Sequence, residues 1–393
     1  MIKAGTHYSK NQPPRQAAEI AAHGALSKAH LNRASTALVF ASIDYCQDYP
    51  LILERVQKIT QARQVVGASA ASIITEDAEI EGVPAVGVMV IESDTLEIRA
   101  ALHRNLQENS FQAGALLGES LRGPTAENRL ALLFPDPFSF QGAAFFAGLE
   151  QSANFIPLAG GGAADDGNLG KSYQFLGTEA AYDAVSSLGL SGKFQHEMGI
   201  VPSCAPFTSA LQVTQSDGNK IYELDHRPAY DILLESLSQA NLDDTREIGK
   251  KVFLGLALKE FQTDFTGTDY FVSKITDINT HKGILTSIVP VRQGGFLTFA
   301  LRDQTQSAER LRQMLASMHE RLAPRKPAFG FYFNCCSRGS SLYSAPNHDV
   351  GLIRRQFPGV PILGFNTYGQ FAPMNEMNFL NHQTGVLTLI AED

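Results

Sequence analysis

Residues 328–365, AFGFYFNCCSRGSSLYSAPNHDVGLIRRQFPGVPILGF, decide the architecture. Ala328–Asn334 is an unbroken apolar run of strand length, which is what a strand covered on both faces requires. Small and polar residues, Cys335 to Gly339, end it. A helix is expected over His348–Gln356, and a second short apolar strand over Val360–Phe365. Strand, helix and strand in this order make an α/β unit. Downstream, Gly385–Ile390 reads as a closing strand.

Upstream, the same vocabulary recurs. An amphipathic helix is expected over residues 14–30, where Ala17, Ala18, Ile20, Ala21, Ala25 and Leu26 repeat at helical spacing. Thr36–Ser42 is a covered strand, a helix follows at Tyr49–Ala62, and Gln64–Ser69 is a strand. Pro84–Glu92 and Leu96–Leu102 read as antiparallel neighbours, and Tyr173–Gly177 with Ala184–Ser191 as a hairpin. In the second half, Ala210–Thr214 and Ile221–Leu224 flank a Ser216–Asp217–Gly218–Asn219 turn. Strand-like pieces at Phe253–Leu258, Phe271–Ile278, Ile284–Ile288 and Phe296–Leu301 precede a helix at Ser307–Arg321. Neither half alternates cleanly between strand and helix. The expected fold is therefore α/β with mixed sheets: two domains, 1–215 and 216–393, each a mixed β-sheet flanked by helices. No repeat of fixed period is visible.

Composition narrows the function. The 393 residues carry 32 Lys and Arg against 40 Asp and Glu, a formal net charge of −8, and no basic run that would suit nucleic acid. No stretch reaches the roughly 20 apolar residues of a membrane span. Residues 1–16 are polar and lack the apolar core of a secretion signal. The four cysteines, Cys46, Cys204, Cys335 and Cys336, show no disulfide spacing. These features point to a cytoplasmic protein.

Enzyme signatures come close and fail. Gly170–Lys171–Ser172 ends like a phosphate-binding loop, but Asp165 stands at the leading glycine and would repel phosphate. Gly67–Ala68–Ser69–Ala70–Ala71 approximates a nucleophile elbow but ends in Ala71. His196–Glu197 lacks the second histidine of a zinc-protease helix. No catalytic residue is assigned, and no metal or cofactor is required by the residues themselves.

The motifs of the final seventy residues resemble the C-terminal FIST domain. Phe333–Gly339 fits Phe-x-Cys-x-x-Arg-Gly, Gly364–Pro373 follows Gly-Phe-x-x-x-Gly-Glu-x-x-Pro, and Asn378–Thr384 the Asn/His–Thr segment. Leu297–Asp303 looks like the family's Phe-x-x-Arg-Asp strand. Leu38–Ser42, Val66–Ser69, Leu133–Asp136 and Gly160–Ala163 resemble the N-terminal FIST domain in order. The resemblance implies a sensory, non-enzymatic module for small ligands, an amino acid or small carboxylate, with output through a separate signalling partner or through homo-oligomerisation. One branch of the family binds haem to sense nitric oxide.

The resemblance points to Arg338, Gly339, Gly369, Gln370, Asn381, Cys335 and Arg302 as ligand-binding residues, in the C-terminal domain or the domain cleft. Arg338 would hold an anionic group through its planar fork, or else pair structurally with Asp303 or Asp349. Gln370 stands where the family has Glu, which removes a charged partner for a ligand ammonium. His348 is the candidate axial ligand if haem binds. Cys335 or Cys336 would be the nucleophile of a cysteine-dependent enzyme, which needs a neighbouring base. Gly160–Gly162 with Asp165–Asp166 is a further candidate cradle.

Overall fold

A computed structural model describes the 393-residue chain apart from residues 123–127, 166, 242–247, 266–269 and 375. Asp166 of the candidate cradle lies outside the described residues. The fold is mixed α/β, with more strand than helix and mixed sheets flanked by helices. By contacts the chain divides into two compact units. One comprises Met1–Ile200, Leu311–Leu380 and Thr384–Asp393, and the other Val201–Arg310 with Asn381–Gln383.

The larger unit contains three sheets of one design. In the first, the strand order is Ile2–Lys10, Ala85–Ser93, Thr36–Ser42, Gln64–Ala70, Gln174–Leu176 and Glu179–Ala181. In the second it is Leu96–Arg104, Ala184–Gly192, Asn128–Pro135, Leu158–Gly161, Gln370–Met374 and Met377–Asn381. In the third it is Phe194–Pro202, Thr384–Glu392, Pro327–Cys335, Ile362–Thr367, Ser72–Thr75 and Glu79–Glu81. The central pair of each sheet is parallel, and its outer neighbours run antiparallel to it.

Each sheet therefore takes four strands from one stretch of chain and a hairpin from another. Hairpin 72–81 leaves the first stretch for the third sheet. Residues 174–181 leave the second stretch for the first sheet, and 370–381 leave the third for the second. The unit is a threefold repeat closed by exchanged hairpins.

Equivalent residues confirm the repeat. Val39, Leu133 and Tyr332 face Gly67, Gly160 and Gly364 across the three parallel pairs. A Cβ on any of these glycines would fall 1.8, 2.2 or 1.7 Å from the facing carbonyl oxygen, so the strands reach this spacing only with glycine. The next residues, Phe40, Phe134 and Phe333, meet with Phe365 in one aromatic core, at ring separations of 4.6 to 6.3 Å. Gly67 and Gly160 are 93 positions apart, and Gly160 and Gly364 are 204 apart. Without the 110 residues from Val201 to Arg310 the second spacing becomes 94. The expectation of no internal repeat is corrected here: an inserted unit hides the period.

Two pairings also differ from expectation. Leu96–Arg104 pairs with Ala184–Gly192 and not with Ala85–Ser93, and Gln174–Leu176 pairs with Glu179–Ala181 and Gln64–Ala70. Both corrections follow from hairpin exchange, since adjacent segments of chain are sent to different sheets.

The smaller unit is an antiparallel barrel. Leu211–Asp217, Lys220–Leu224, Ile284–Ser287, Tyr270–Asn279 and Val252–Ala257 follow in order. Phe296–Arg302 closes the ring by pairing with both Leu211–Asp217 and Val252–Ala257. Closure removes the unpaired edges of an open sheet. Val213, Ile221, Leu285, Leu297 and Phe299 fill the barrel with Ile232 and Leu233 of helix Ala229–Gln239.

Candidate functional site

In each repeat the chain leaves the carboxyl end of its second parallel strand and crosses to a neighbouring sheet. The three crossovers hydrogen-bond to one another in the larger unit. Ala164 N–H donates to Ser69 O at 3.0 Å, Gly162 N–H to Gly369 O at 2.9 Å, and Asn366 N–H to Ser72 Oγ at 2.9 Å. Carboxyl ends of parallel strands are where α/β sheets present their ligand sites.

Around the third repeat these ends are rich in buried polar groups. Strand Pro327–Cys335 runs into a turn that places Arg338 wholly out of solvent. Its guanidinium donates through Nε and Nη2 to Asp349 Oδ2, at 3.2 and 2.9 Å, and through Nη2 to Tyr343 Oη at 2.9 Å. Tyr332 Oη and Asn334 Nδ2 donate to the same carboxylate oxygen at 2.7 and 3.2 Å. Burial pushes the Asp349 carboxyl up, but Arg338, His348 and Tyr332 outweigh it and hold it well below the usual range. Of the two partners considered from sequence, Asp349 is the one Arg338 contacts. The pair ties the start of the turn to helix His348–Gln356.

The exchanged hairpin supplies a second layer. Glu79 Oε1 accepts from Val350 N–H at 3.0 Å, its own N–H donates to Asn347 Oδ1 at 2.6 Å, and Glu81 Oε1 accepts from Ser340 N–H at 3.2 Å. Burial, with Asp349 nearby, pushes the Glu79 carboxyl up to about 7. Gly339 is left-handed at φ +56°, and a Cβ there would strike Glu81 Oε1 at 2.3 Å.

Cys336 links this acidic side to an aromatic one. Its thiol is pushed far up by burial first, then by Cys335, Asp165 and, more weakly, Glu81. That direction is opposite to what a nucleophilic thiolate requires. Cys335 is buried, and its sulfur accepts from Ser337 Oγ at 3.0 Å. Asp165 accepts from Tyr368 Oη and from the N–H groups of Gly167 and Gly170, at 3.0 and 2.7 Å. Its carboxylate thus organises the loop that resembled a phosphate cradle. The Tyr368 ring meets Phe138 edge-on at 6.2 Å, and Phe138 is 57% exposed.

The residues expected from sequence are distributed as follows. Cys335, Arg338 and Gly339 lie together at this turn. Gly369 and Gln370 lie at the crossover: Thr367 Oγ1 donates to Gly369 O at 2.9 Å, and the buried Gln370 bonds Thr367 O and Thr384 Oγ1 at 3.2 and 2.9 Å. Arg302 and Asn381 belong to the smaller unit, where Arg302 faces Cys204 across a strand pair. Glu79, Glu81 and Asn366 were not expected. The sequence signal for the first two is the pattern Glu79–Ile80–Glu81, two carboxylates on one face of a short strand.

Haem does not fit His348. Its ring stacks on Tyr343 at 3.7 Å, and Nδ1 lies 3.3 Å from Asp349 Oδ1. The surroundings are charged, where a haem needs an apolar slot. Among the described residues no cluster of three or more His, Cys, Asp or Glu could hold a metal ion. No helix among them is long and apolar enough to cross a membrane.

The smaller unit has a groove of about 440 Å³ between Phe207, Leu211 and helix Ala229–Gln239. Its polar groups pair locally: Ser236 Oγ with Ile232 O, Thr208 with Thr298, and Arg227 with Glu235.

The FIST N domain model matches residues 35–227, and the FIST C domain model matches residues 229–373. The chain belongs to the FIST family. FIST domains are described as small-ligand sensory domains. Relatives of this FIST protein include an uncharacterized protein of Mycobacterium tuberculosis, 24% identical over 379 residues and 96% of each chain. An uncharacterized protein of Mycobacterium bovis is 24% identical over the full length of both chains. A crystal structure of chorismatase covers all of this FIST protein and 99% of that chain at a TM-score of 0.34 and 8% identity. A cyanuric acid hydrolase from A. caulinodans aligns with the same coverage, score and identity. At those scores neither likeness bears on function.

Proposed function

We propose that this FIST protein binds a small ligand in its larger unit, at the carboxyl ends of strands Pro327–Cys335 and Ile362–Thr367, and passes the signal to a separate partner. One observation carries the placement. Where the three crossovers meet, the third repeat brings Cys336, Asn366 and Tyr368 against Asp165 and Glu81, with an exposed aromatic rim at Phe138. Concave sites combine aromatic walls with a few converging polar groups. Gly339, Gly369 and Gln370 shape the backbone here, and Arg338 acts through Asp349 by holding the turn in place. An amino acid or another small polar molecule offers the donors and acceptors that such a site would pair. Ligand binding here would change the turn that follows Cys335, and this turn is the element a partner would sense.

A thermal-shift screen of amino acids, amines and small carboxylates tests the placement. A ligand at a hundredfold over its Kd stabilises the native state by about 2.7 kcal/mol. Phe138→Ala is expected to weaken the hit about tenfold while leaving unliganded stability within about 0.5 kcal/mol, as for an exposed residue. A hit unaffected by Phe138→Ala places the ligand elsewhere.

A further inference from the structure

The site has acceptors in excess of donors. Glu79 and Glu81 sit two apart on strand Glu79–Glu81, so their carboxylates leave the same face. Glu79 Oε2 and Asn366 Oδ1 are buried and have no hydrogen-bond partner among the described residues. Both residues are only 6% exposed. A buried acceptor without a donor costs free energy that a ligand donor would recover.

Glu81 and Asn366 meet beside Gly339. The point where a Gly339 Cβ would stand lies 2.3 Å from Glu81 Oε1 and 3.5 Å from Asn366 Nδ2. The Asn366 amide nitrogen and the Glu81 carboxylate therefore flank one point, and Glu81 can approach the backbone this closely only because residue 339 is glycine. The charge there is unbalanced, because the guanidinium of Arg338 is matched by Asp349 at 2.9 Å. A carboxylate or phosphate entering would meet like charge. Among the described residues a divalent ion would find two carboxylates and no third ligand of its kind.

Resting on the site proposed above, we propose that the ligand presents a protonated amine to Glu79, Glu81 and Asn366, with its apolar body toward Tyr368 and Phe138. An ammonium offers three donors and no acceptor, the complement of this set. Cys336 joins the two halves, since its N–H donates at 3.1 Å to the carbonyl of Thr367, the residue between Asn366 and Tyr368. An aromatic rim suits the body of such a ligand and attracts a nearby cation through the ring faces.

The test uses three probes of one shape on the full chain: 2-phenylethylamine, 2-phenylethanol and 3-phenylpropanoate, each at 10 mM. The amine is expected to raise Tm, and the alcohol and carboxylate are not. Glu81→Gln keeps the acceptor for Ser340 N–H and removes the charge, and it is expected to weaken amine binding at least about tenfold. Binding of the carboxylate that is lost in Phe138→Ala would keep the site and overturn the amine. Amine binding unchanged in both Glu81→Gln and Phe138→Ala would overturn the site itself. A shift with magnesium or calcium chloride alone, lost in Glu81→Gln, would make the occupant a metal ion and overturn the amine. No shift with any of these probes overturns the proposal.

Discussion

Asp349→Ala is expected to destabilise the larger unit by about 3–5 kcal/mol, the usual cost of leaving one member of a buried ion pair alone. Arg338 and Asp349 are both 0% exposed, so water cannot replace the lost partner. The same substitution removes the acceptor of Tyr332 Oη and Asn334 Nδ2, each left with a buried donor. Replacing both charges, as in Arg338→Met with Asp349→Leu, is expected to recover part of the loss. Recovery is incomplete because the tyrosine and asparagine donors remain unmatched. Urea unfolding reads both variants, provided the m-value is unchanged. A loss below about 1 kcal/mol for Asp349→Ala would show that the pair does not hold the turn. Acid acts in the same sense: Asp349 has a depressed pKa, so its contribution is complete above the unfolded carboxylate value and is lost as pH falls below it.

Glu79 has the opposite dependence. Unfolded, it gives up its proton near 4.5, and folded it keeps it until about 7. Between these values the native state binds more protons than the unfolded chain, so stability falls as pH rises. The loss approaches roughly 3 kcal/mol by pH 8. Asp349, Glu81, Arg338 and Tyr343 face this carboxyl, and its charged form is favoured by the Val350 N–H and, more weakly, by Arg338. Glu79→Gln retains the acceptor for Val350 N–H and removes the titration. It is expected to match the wild type at pH 4.5 and to exceed its stability by up to roughly 3 kcal/mol at pH 8, read by urea midpoints. Equal midpoints at pH 8 would mean that Glu79 is solvated. A glutamate kept at such a cost is typical of functional positions, where stability yields to binding.

The local elements were legible where apolar runs and breakers are strong. Thr36–Ser42, Pro14–Ala29 and Pro327–Cys335 fall close to the segments read from the sequence. Ile2–Lys10 was missed because Lys3, His7 and Lys10 obscure its pattern, although it pairs along its full length with Ala85–Ser93. Phe194–Pro202 was missed for a similar reason, with His196 and Glu197 in its interior. Sheet membership was legible for the turn-linked strands Leu211–Asp217 and Lys220–Leu224, which pair, but not for the exchanged hairpins. Nothing local in Ser72–Glu81 states that it joins strands nearly 300 residues away. The repeat survives as single glycines and phenylalanines, too sparse to detect across an inserted barrel.

The site divides along the same line. Arg338, Gly339 and Cys335 follow one another in the chain and carry a recognisable motif. Glu79, Glu81 and Asn366 become neighbours only through the exchanged hairpin. The role of Arg338 was open between ligand contact and ion pair because burial is not a property of the motif. Its partner Asp349 lies eleven residues on, across a turn whose path the sequence leaves undetermined.

The central claim is that ligand binds at the turn after strand Pro327–Cys335. Hydrogen exchange on the full chain, with and without a ligand that raises Tm, tests it most directly. The expected result is slowed exchange in residues 335–350 and 79–81, with the barrel segment 207–240 unchanged. Protection confined to 207–240 would contradict the account and place the ligand in the groove of the smaller unit.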